Sequence, residues 1–382
     1  MNGICYNTTK FKDSHIKTEF YMNIAITGGG TGGHLAIARA LGEECKKQGI
    51  TTLYIGGTRG QDKQWFDNES TPFTHIAFLD STPVVNQSFF GKWSALAKNI
   101  TESLKAKKLL KEHNINACIS VGGFSAATGS FGAIFSRIPF FIHEQNACMG
   151  SLNKLLKPFA KSFFSSFEYP NVTLAPYPIN SDFFIKQRER DTLKTIAFFG
   201  GSQGAKAINE LALNLAPLLK EKNIKILHQA GKIDYENTYK AYVEKGFNLA
   251  DSMQDFKSGE KDIFVFDFSK DMAELMNMAD FCISRAGASS LWELVSNGLP
   301  TLFIPYPHAA KNHQYFNAKS LIDQNLALLY TQEEILHLES NDLINTILQV
   351  NLSEISQSLM RMAQQDGAKC IIDNINQYFI QK

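Results

Sequence analysis

The chain has 382 residues, 44% of them hydrophobic, and a formal net charge of +1. That length accommodates two domains with substantial cores, and the balanced charge gives no global attraction for nucleic acid. Its six cysteines are scattered, with no Cys-x-x-Cys pair, which argues for reduced, mostly buried thiols rather than a disulfide framework.

In chain order, residues 1–21 are polar and lack the apolar core of a signal peptide. They read as a disordered extension ahead of a domain that starts near Met22. Residues 23–27 form a first strand, followed by Gly28-Gly29-Gly30-Thr31-Gly32-Gly33-His34 and a helix over 35–48 that stops at Gly49. Residues 51–55 and 74–78 are the next strands, and 89–113 carry a long helical pattern. A strand over 117–121 leads into the glycine-rich turn 122–129. The strand 140–143 runs into His143-Glu144-Gln145-Asn146, and 161–165 is the last strand of this half. The most apolar window, 124–142, contains Arg137 and Pro139. It reads as loop, helix and strand in series rather than a membrane span, so any membrane contact is peripheral.

The proline-bearing segment 170–180 is the crossover, after which the pattern restarts. Strands are predicted at 195–199, 224–228, 263–266, 281–284 and 301–305, each followed by a helical stretch, and an apolar-periodic segment at 368–379 closes the chain. Strands alternating with helices predict parallel sheets covered on both faces. The expected fold is α/β, with two Rossmann-like doubly wound domains facing a cleft. Residues 22–178 would be the first, 179–365 the second, and 366–382 a helix packing back on the first.

The glycine loops carry the chemistry. In a strand–glycine-loop–helix unit the unpaired N–H groups of the helix start favour an anion, and glycine lets a phosphate approach the backbone. Thr195 to Lys206 has this form, and so does Thr27 to His34. Gly28, Gly30 and Gly33 match Gly-x-Gly-x-x-Gly, but the second strand ends in Gly56-Gly57 with no acid for a ribose, which weakens a dinucleotide reading. His34 is either a helix-end donor or a general base. Ser290 and Glu293 fit a Ser-x-x-Glu capping box; the alternative is a carboxylate in the first helical turn that binds a diol. Gln314 and Asn317 share a helix face, and amides suit sugar hydroxyls. No loop ends in Gly-Lys-Ser/Thr, so this is not a P-loop enzyme. No Asp-x-Asp pair signals a carboxylate-held metal. Phe89, Phe90 and Trp93, interleaved with Lys92, Lys98, Lys105, Lys107 and Lys108, fit either an ordinary surface helix or one lying on an anionic membrane.

Taken together, Gly29 to His34, His143-Glu144-Gln145-Asn146, Gly200-Gly201-Ser202-Gln203-Gly204-Ala205, Arg285-Ala286-Gly287-Ala288, and His308 with Asn312-His313-Gln314 resemble the MurG family of bacterial peptidoglycan synthesis. The resemblance implies a two-domain GT-B glycosyltransferase on the cytoplasmic face of the inner membrane. It would move GlcNAc, with inversion, from UDP-GlcNAc to the C4 hydroxyl of MurNAc in lipid I, without metal or cofactor. By position, Thr31, Gly32, Gly33, Asn146, Ser202, Ala288, Ser289, Ser290, Leu291, Trp292, Glu293 and Gln314 would line the donor site, with Ser202 at the diphosphate, Glu293 at the ribose and Gln314 at the GlcNAc hydroxyls. A uracil contact would fall at Ser269, and His34 would be the catalytic base. Asn180 stands where many members have an arginine that assists the donor. Implied partners are UDP-GlcNAc, lipid I, an anionic membrane surface and other cell-wall synthesis proteins. The rivals are another GT-B enzyme, such as a UDP-GlcNAc 2-epimerase, and a non-catalytic UDP-sugar-binding scaffold.

Overall fold

A computed structural model describes residues 22–81, 89–201 and 203–381, with only the backbone described over 89–96. The expectations for residues 1–21, for the side chains of Phe89, Phe90 and Trp93, and for Ser202 lie outside the described residues. The chain divides into two compact units, one comprising Met1–Ile179 and Gln365–Lys382, the other Asn180–Gln364.

In the first unit, β1 (Asn23–Gly28), β2 (Thr51–Gly57), β3 (His75–Leu79), β4 (Ala117–Gly122), β5 (Phe140–Glu144), β6 (Ser162–Ser165) and β7 (Thr173–Leu174) form one sheet in the order β3-β2-β1-β4-β5-β6-β7. Every pairing is parallel, with Ile24 opposite Thr52 on one side and Ala117 on the other. The connections carry α1 (Gly32–Lys47), α2 (Asp62–Phe66), α3 (Phe89–Glu112), α4 (Ala126–Ser136) and α5 (Ser151–Leu156). Central strands of a covered parallel sheet are buried on both faces, which is why they read as unbroken apolar runs. Ala25, Leu53, Ile55, Cys118, Phe140 and Ile142 pack in one cluster with Ala106 and Leu110 of α3 and Ala133 of α4.

The second unit repeats the plan. β8 (Thr195–Phe199), β9 (Lys225–Gln229), β10 (Ile263–Phe266), β11 (Phe281–Ser284), β12 (Thr301–Phe303) and β13 (Leu328–Leu329) run in the order β10-β9-β8-β11-β12-β13, again all parallel. Its helices are α6 (Asp182–Ile185), α7 (Lys206–Glu221), α8 (Tyr235–Glu244), α9 (Met253–Ser258), α10 (Met272–Met278), α11 (Ala288–Asn297), α12 (His313–Ile322), α13 (Gln332–His337), α14 (Ser340–Leu348) and α15 (Leu352–Met362). Helix α7 buries Ile208, Leu211, Ala212, Leu215 and Leu219, a stripe at helical spacing, in one cluster with Phe198 and Ile226. The fully buried Arg190 anchors the chain entering this unit, donating to the carbonyls of Met276, Ala279 and Asn297 at the ends of α10 and α11. The last helix, α16 (Gly367–Ile380), belongs to the first unit and lies against α1, where Gln48 Nε2 donates to Asp373 Oδ1 at 3.0 Å.

The strand order reverses between β1 and β4 in one sheet and between β8 and β11 in the other. In open parallel sheets the space beyond the carboxyl ends of the strands at such a point is where ligands bind. The glycine loops after β1, β4, β8 and β11 all stand there. The differences from expectation are local: β9 is shifted by one residue, to Lys225–Gln229, and β12 stops at Phe303. Strand β3 is shifted by one residue, to His75–Leu79, and β7 and β13 are two-residue strands too short to leave an apolar pattern.

Candidate active site

In the first unit the glycine loop is tied to its surroundings from below. Gly28 has φ +126° and Gly30 φ +85°, left-handed values that a side chain would strain. Gly29 N donates to Gly122 O at 3.1 Å, which joins the loops after β1 and β4. Gly30 N donates to Asp62 Oδ2 at 2.7 Å, and Gly57 N donates to Asp62 Oδ1 at 2.8 Å. The Tyr54 hydroxyl stands 2.8 Å from Gly28 O and 3.0 Å from Asp62 Oδ1. Asp62 is fully buried. Burial and the neighbouring Asp62 charge push the Tyr54 phenol well above its ordinary range. Sequence reasoning sought an acid at the end of β2 and missed this one, five residues beyond Gly57. The expectation of a phosphate-friendly loop is corrected at one point: Gly30 N is committed to a carboxylate, so it is not available to a bound anion.

His34 is the third residue of α1. Its Nδ1 lies 2.9 Å from Thr31 Oγ1 and its Nε2 lies 2.9 Å from Gln145 Nε2. The Tyr177 hydroxyl donates to Gln145 Oε1 at 3.4 Å. Thus Thr31 and His34 meet the His143 to Asn146 segment, although 111 residues separate His34 from Gln145. Gly32 and Gly33 form the first turn of α1, whose N-cap is Thr31. Asn146 is held by its neighbours: its N–H donates to Glu144 Oε1 at 3.1 Å, and its carbonyl accepts from the Tyr169 hydroxyl at 2.5 Å. The other oxygen of Glu144 accepts from Gly150 N at 2.8 Å and Asn153 Nδ2 at 2.9 Å. His143 is fully buried, and neither ring nitrogen has a hydrogen-bond partner among the described residues. Burial, and then the nearby His34, lower its pKa to about 3.

In the second unit the loop after β8 is closed by Gly204 N donating to Gly201 O at 2.9 Å. It packs on the turn after β9 so tightly that a Cβ on Gly231 would come 2.1 Å from Gly204 N. Helix α7 follows with Ala205 as its N-cap, no side-chain cap and no acid in its first turn. Its start is an anion-favouring end of the kind predicted. Beyond β11, Arg285 donates to the carbonyls of Ile304 and Pro305, each at 3.0 Å, and ties this turn to the end of β12.

Two expectations fail here for physical reasons. The Ser290–Glu293 capping box does not form. The N-cap of α11 is Gly287, so Ala288, Ser289 and Ser290 make the first turn, and Leu291, Trp292 and Glu293 follow in the second. Glu293 is half-buried, and burial raises its carboxyl to about 7. Asn317 does not share an open face with Gln314. It is fully buried and donates to Ala286 O at 3.1 Å, fixing the turn before α11. Gln314 Oε1 accepts from Tyr306 N at 2.9 Å, so its amide nitrogen is the end that can serve a hydroxyl. Ser269 follows β10 and accepts from Asp271 N at 3.0 Å. Asn180 is exposed at the entry to the unit, its Oδ1 accepting from Asp182 N at 3.0 Å.

Two tandem Rossmann-like units with glycine loops at both switch points, each opening a helix whose N-cap makes no side-chain hydrogen bond, have the GT-B architecture. Residues 24–165 match the glycosyltransferase family 28 N-terminal domain, and residues 195–375 its C-terminal domain. A Campylobacter jejuni protein named UDP-N-acetylglucosamine–N-acetylmuramyl-(pentapeptide) pyrophosphoryl-undecaprenol N-acetylglucosamine transferase is 51% identical over 359 residues, covering 93% of this chain and 99% of that protein. A Helicobacter pylori protein of the same name is 46% identical over 363 residues, covering 93% and 99%. The crystal structure of Acinetobacter baumannii MurG superposes with a TM-score of 0.71 at 27% identity, covering 93% of this chain and 99% of that one. The chain belongs to glycosyltransferase family 28 and, within it, to the MurG family.

Proposed function

We propose that the chain transfers GlcNAc from UDP-GlcNAc to the C4 hydroxyl of MurNAc in undecaprenyl-pyrophosphoryl-MurNAc-pentapeptide, giving lipid II. The observation that carries this reading is the placement of the family motifs at the carboxyl ends of strands beside the switch point of each sheet. The second unit holds the donor. The N–H groups at the start of α7 face the diphosphate, Glu293 takes the ribose diol, and the Gln314 amide donates to a GlcNAc hydroxyl. The first unit presents the acceptor and the base. The acceptor oxygen attacks C1 from the face opposite UDP while His34 takes its proton. The C1–O bond to the diphosphate breaks, and the negative charge that UDP gains is stabilised by backbone N–H groups already oriented toward it.

Because the acceptor is lipid-linked, the enzyme works at a membrane surface. No helix among the described residues is long and apolar enough to cross one. Helix α3 offers an exposed stripe at helical spacing, Ile100 and Leu104 followed by Lys107, Lys108 and Lys111, the combination that binds an anionic interface. The test is incubation of the full chain with labelled UDP-GlcNAc and acceptor in anionic vesicles, with EDTA present. Labelled lipid, and protein sedimenting with the vesicles, are expected. Donor binding without product would point to a scaffold, and UDP-ManNAc formed without acceptor would point to an epimerase.

Glu293 makes the donor step pH-dependent. A diol donates to the ionised carboxylate, and a group raised to about 7 loses that form as the pH falls. The affinity for UDP-GlcNAc is expected to drop about tenfold from pH 8 to pH 6. Glu293→Gln should weaken binding and flatten this dependence in calorimetric titrations. Equal wild-type affinity at both pH values would remove Glu293 from the ribose.

A further inference from the structure

A histidine that acts as a base needs one bare ring nitrogen, and the surroundings of His34 decide which one that is. A carboxamide has one accepting end and one donating end. The Tyr177 hydroxyl donates to Gln145 Oε1, so the amide nitrogen of Gln145 is the end that faces His34 Nε2, 2.9 Å away. An amide nitrogen only donates, so Nε2 must accept and carry no proton. The ring proton is then on Nδ1, and it is given to Thr31 Oγ1 at 2.9 Å. We propose that Gln145 and Tyr177 are positioning residues that hold His34 in the Nδ1–H tautomer, with the Gln145 amide occupying the place that the acceptor hydroxyl takes when it binds. This rests on the reading of His34 as the base.

The arrangement is buried enough to be specific. Gln145 is 8% exposed and Tyr177 4%. The Tyr177 ring is met edge-on by the His143 imidazole, 5.8 Å between centroids, so the hydroxyl is aimed by packing. His143 on β5 is kept neutral by burial. Glu144, also on β5, is engaged by Asn146 N, Gly150 N and Asn153 Nδ2. Asp62 on α2 is engaged by Gly30 N and Gly57 N. Gln145 supplies Nε2 with a donor at hydrogen-bond distance.

The experiment measures kcat against pH for the full chain with UDP-GlcNAc and the lipid-linked acceptor, together with the KM for the donor. Gln145→Ala is expected to lower kcat about tenfold to a hundredfold while leaving the donor KM near that of the wild type. Gln145→Glu keeps the shape but faces Nε2 with a carboxylate. An opposite charge at that distance favours the imidazolium, so the acidic limb of the profile should move up by about one to three pH units. Tyr177→Phe frees the amide to turn over and should lower kcat in the same direction by less. An acidic limb at its wild-type position in Gln145→Glu, with donor KM intact and His34→Ala inactive, overturns the positioning role and leaves the base standing. Full activity in His34→Ala would remove the base itself, and the positioning role with it.

Discussion

His34→Ala is expected to lower kcat for GlcNAc transfer about 10²–10⁴-fold, the range lost when a positioned general base is removed, with little change in donor affinity. The split between the two constants follows from where the residue sits. His34 belongs to the first unit, in the third position of α1, and its ring nitrogens are engaged by Thr31 and Gln145 of that same unit. The groups proposed to hold the diphosphate, the ribose and a GlcNAc hydroxyl, namely the start of α7, Glu293 and Gln314, belong to the second unit, while Thr31, which the resemblance also places at the donor, touches the imidazole. Removing the imidazole therefore acts on the proton transfer far more than on the donor, which it reaches only through Thr31. Steady-state kinetics with both substrates, together with calorimetric titration of the donor alone, separates the two effects. A kcat within a few-fold of the wild type would send the search for the base elsewhere. A donor affinity that falls in step with kcat would show that the ring serves binding instead.

The sequence is most informative where function depends on local geometry. A short apolar run ending in glycines is a buried strand followed by a turn that only glycine can make. The loops after β1, β4 and β8 are therefore legible in the residues alone, and so is the alternation that gives two parallel sheets. What stays hidden depends on partners remote in the chain. Asp62 lies 32 residues from Gly30, and nothing in its neighbourhood marks it as the carboxylate beneath the glycine loop. Gln145 can be read as part of a motif but not as the partner of His34. The Ser290–Glu293 spacing misleads because a capping box requires that the helix begin at the serine. Gly287 starts it three residues earlier, and the same two residues become interior positions. Asn317 is misplaced for a related reason. Helical spacing says which side chains share a face, and not whether another loop covers one of them.

Asp62→Ala is expected to cost the first unit more stability than any substitution on the exposed faces of its helices. The carboxylate accepts from Gly30 N and Gly57 N and stands 3.0 Å from the Tyr54 hydroxyl, and it is fully buried. Alanine would leave two buried backbone N–H groups without their acceptor. Each such group costs about 1–3 kcal/mol, so the loss is on the order of 2–6 kcal/mol, a large part of the roughly 5–15 kcal/mol that holds a domain folded. Asp62→Asn is the sharper variant. Its amide can present one oxygen where the carboxylate presented two, so one of the two glycine N–H groups would meet an NH₂ instead of an acceptor. Both variants should unfold at lower denaturant than the wild type in the transition that reports the first unit, followed by the fluorescence of Trp65, which stands in α2 beside Asp62. The loop geometry around Gly30 should loosen with it, so kcat should fall even at denaturant-free conditions where the chain stays folded. If Asp62→Asn unfolds with the wild-type midpoint, the carboxylate is not what holds the glycine loop, and the link from Asp62 through Gly30 to the start of α1 fails.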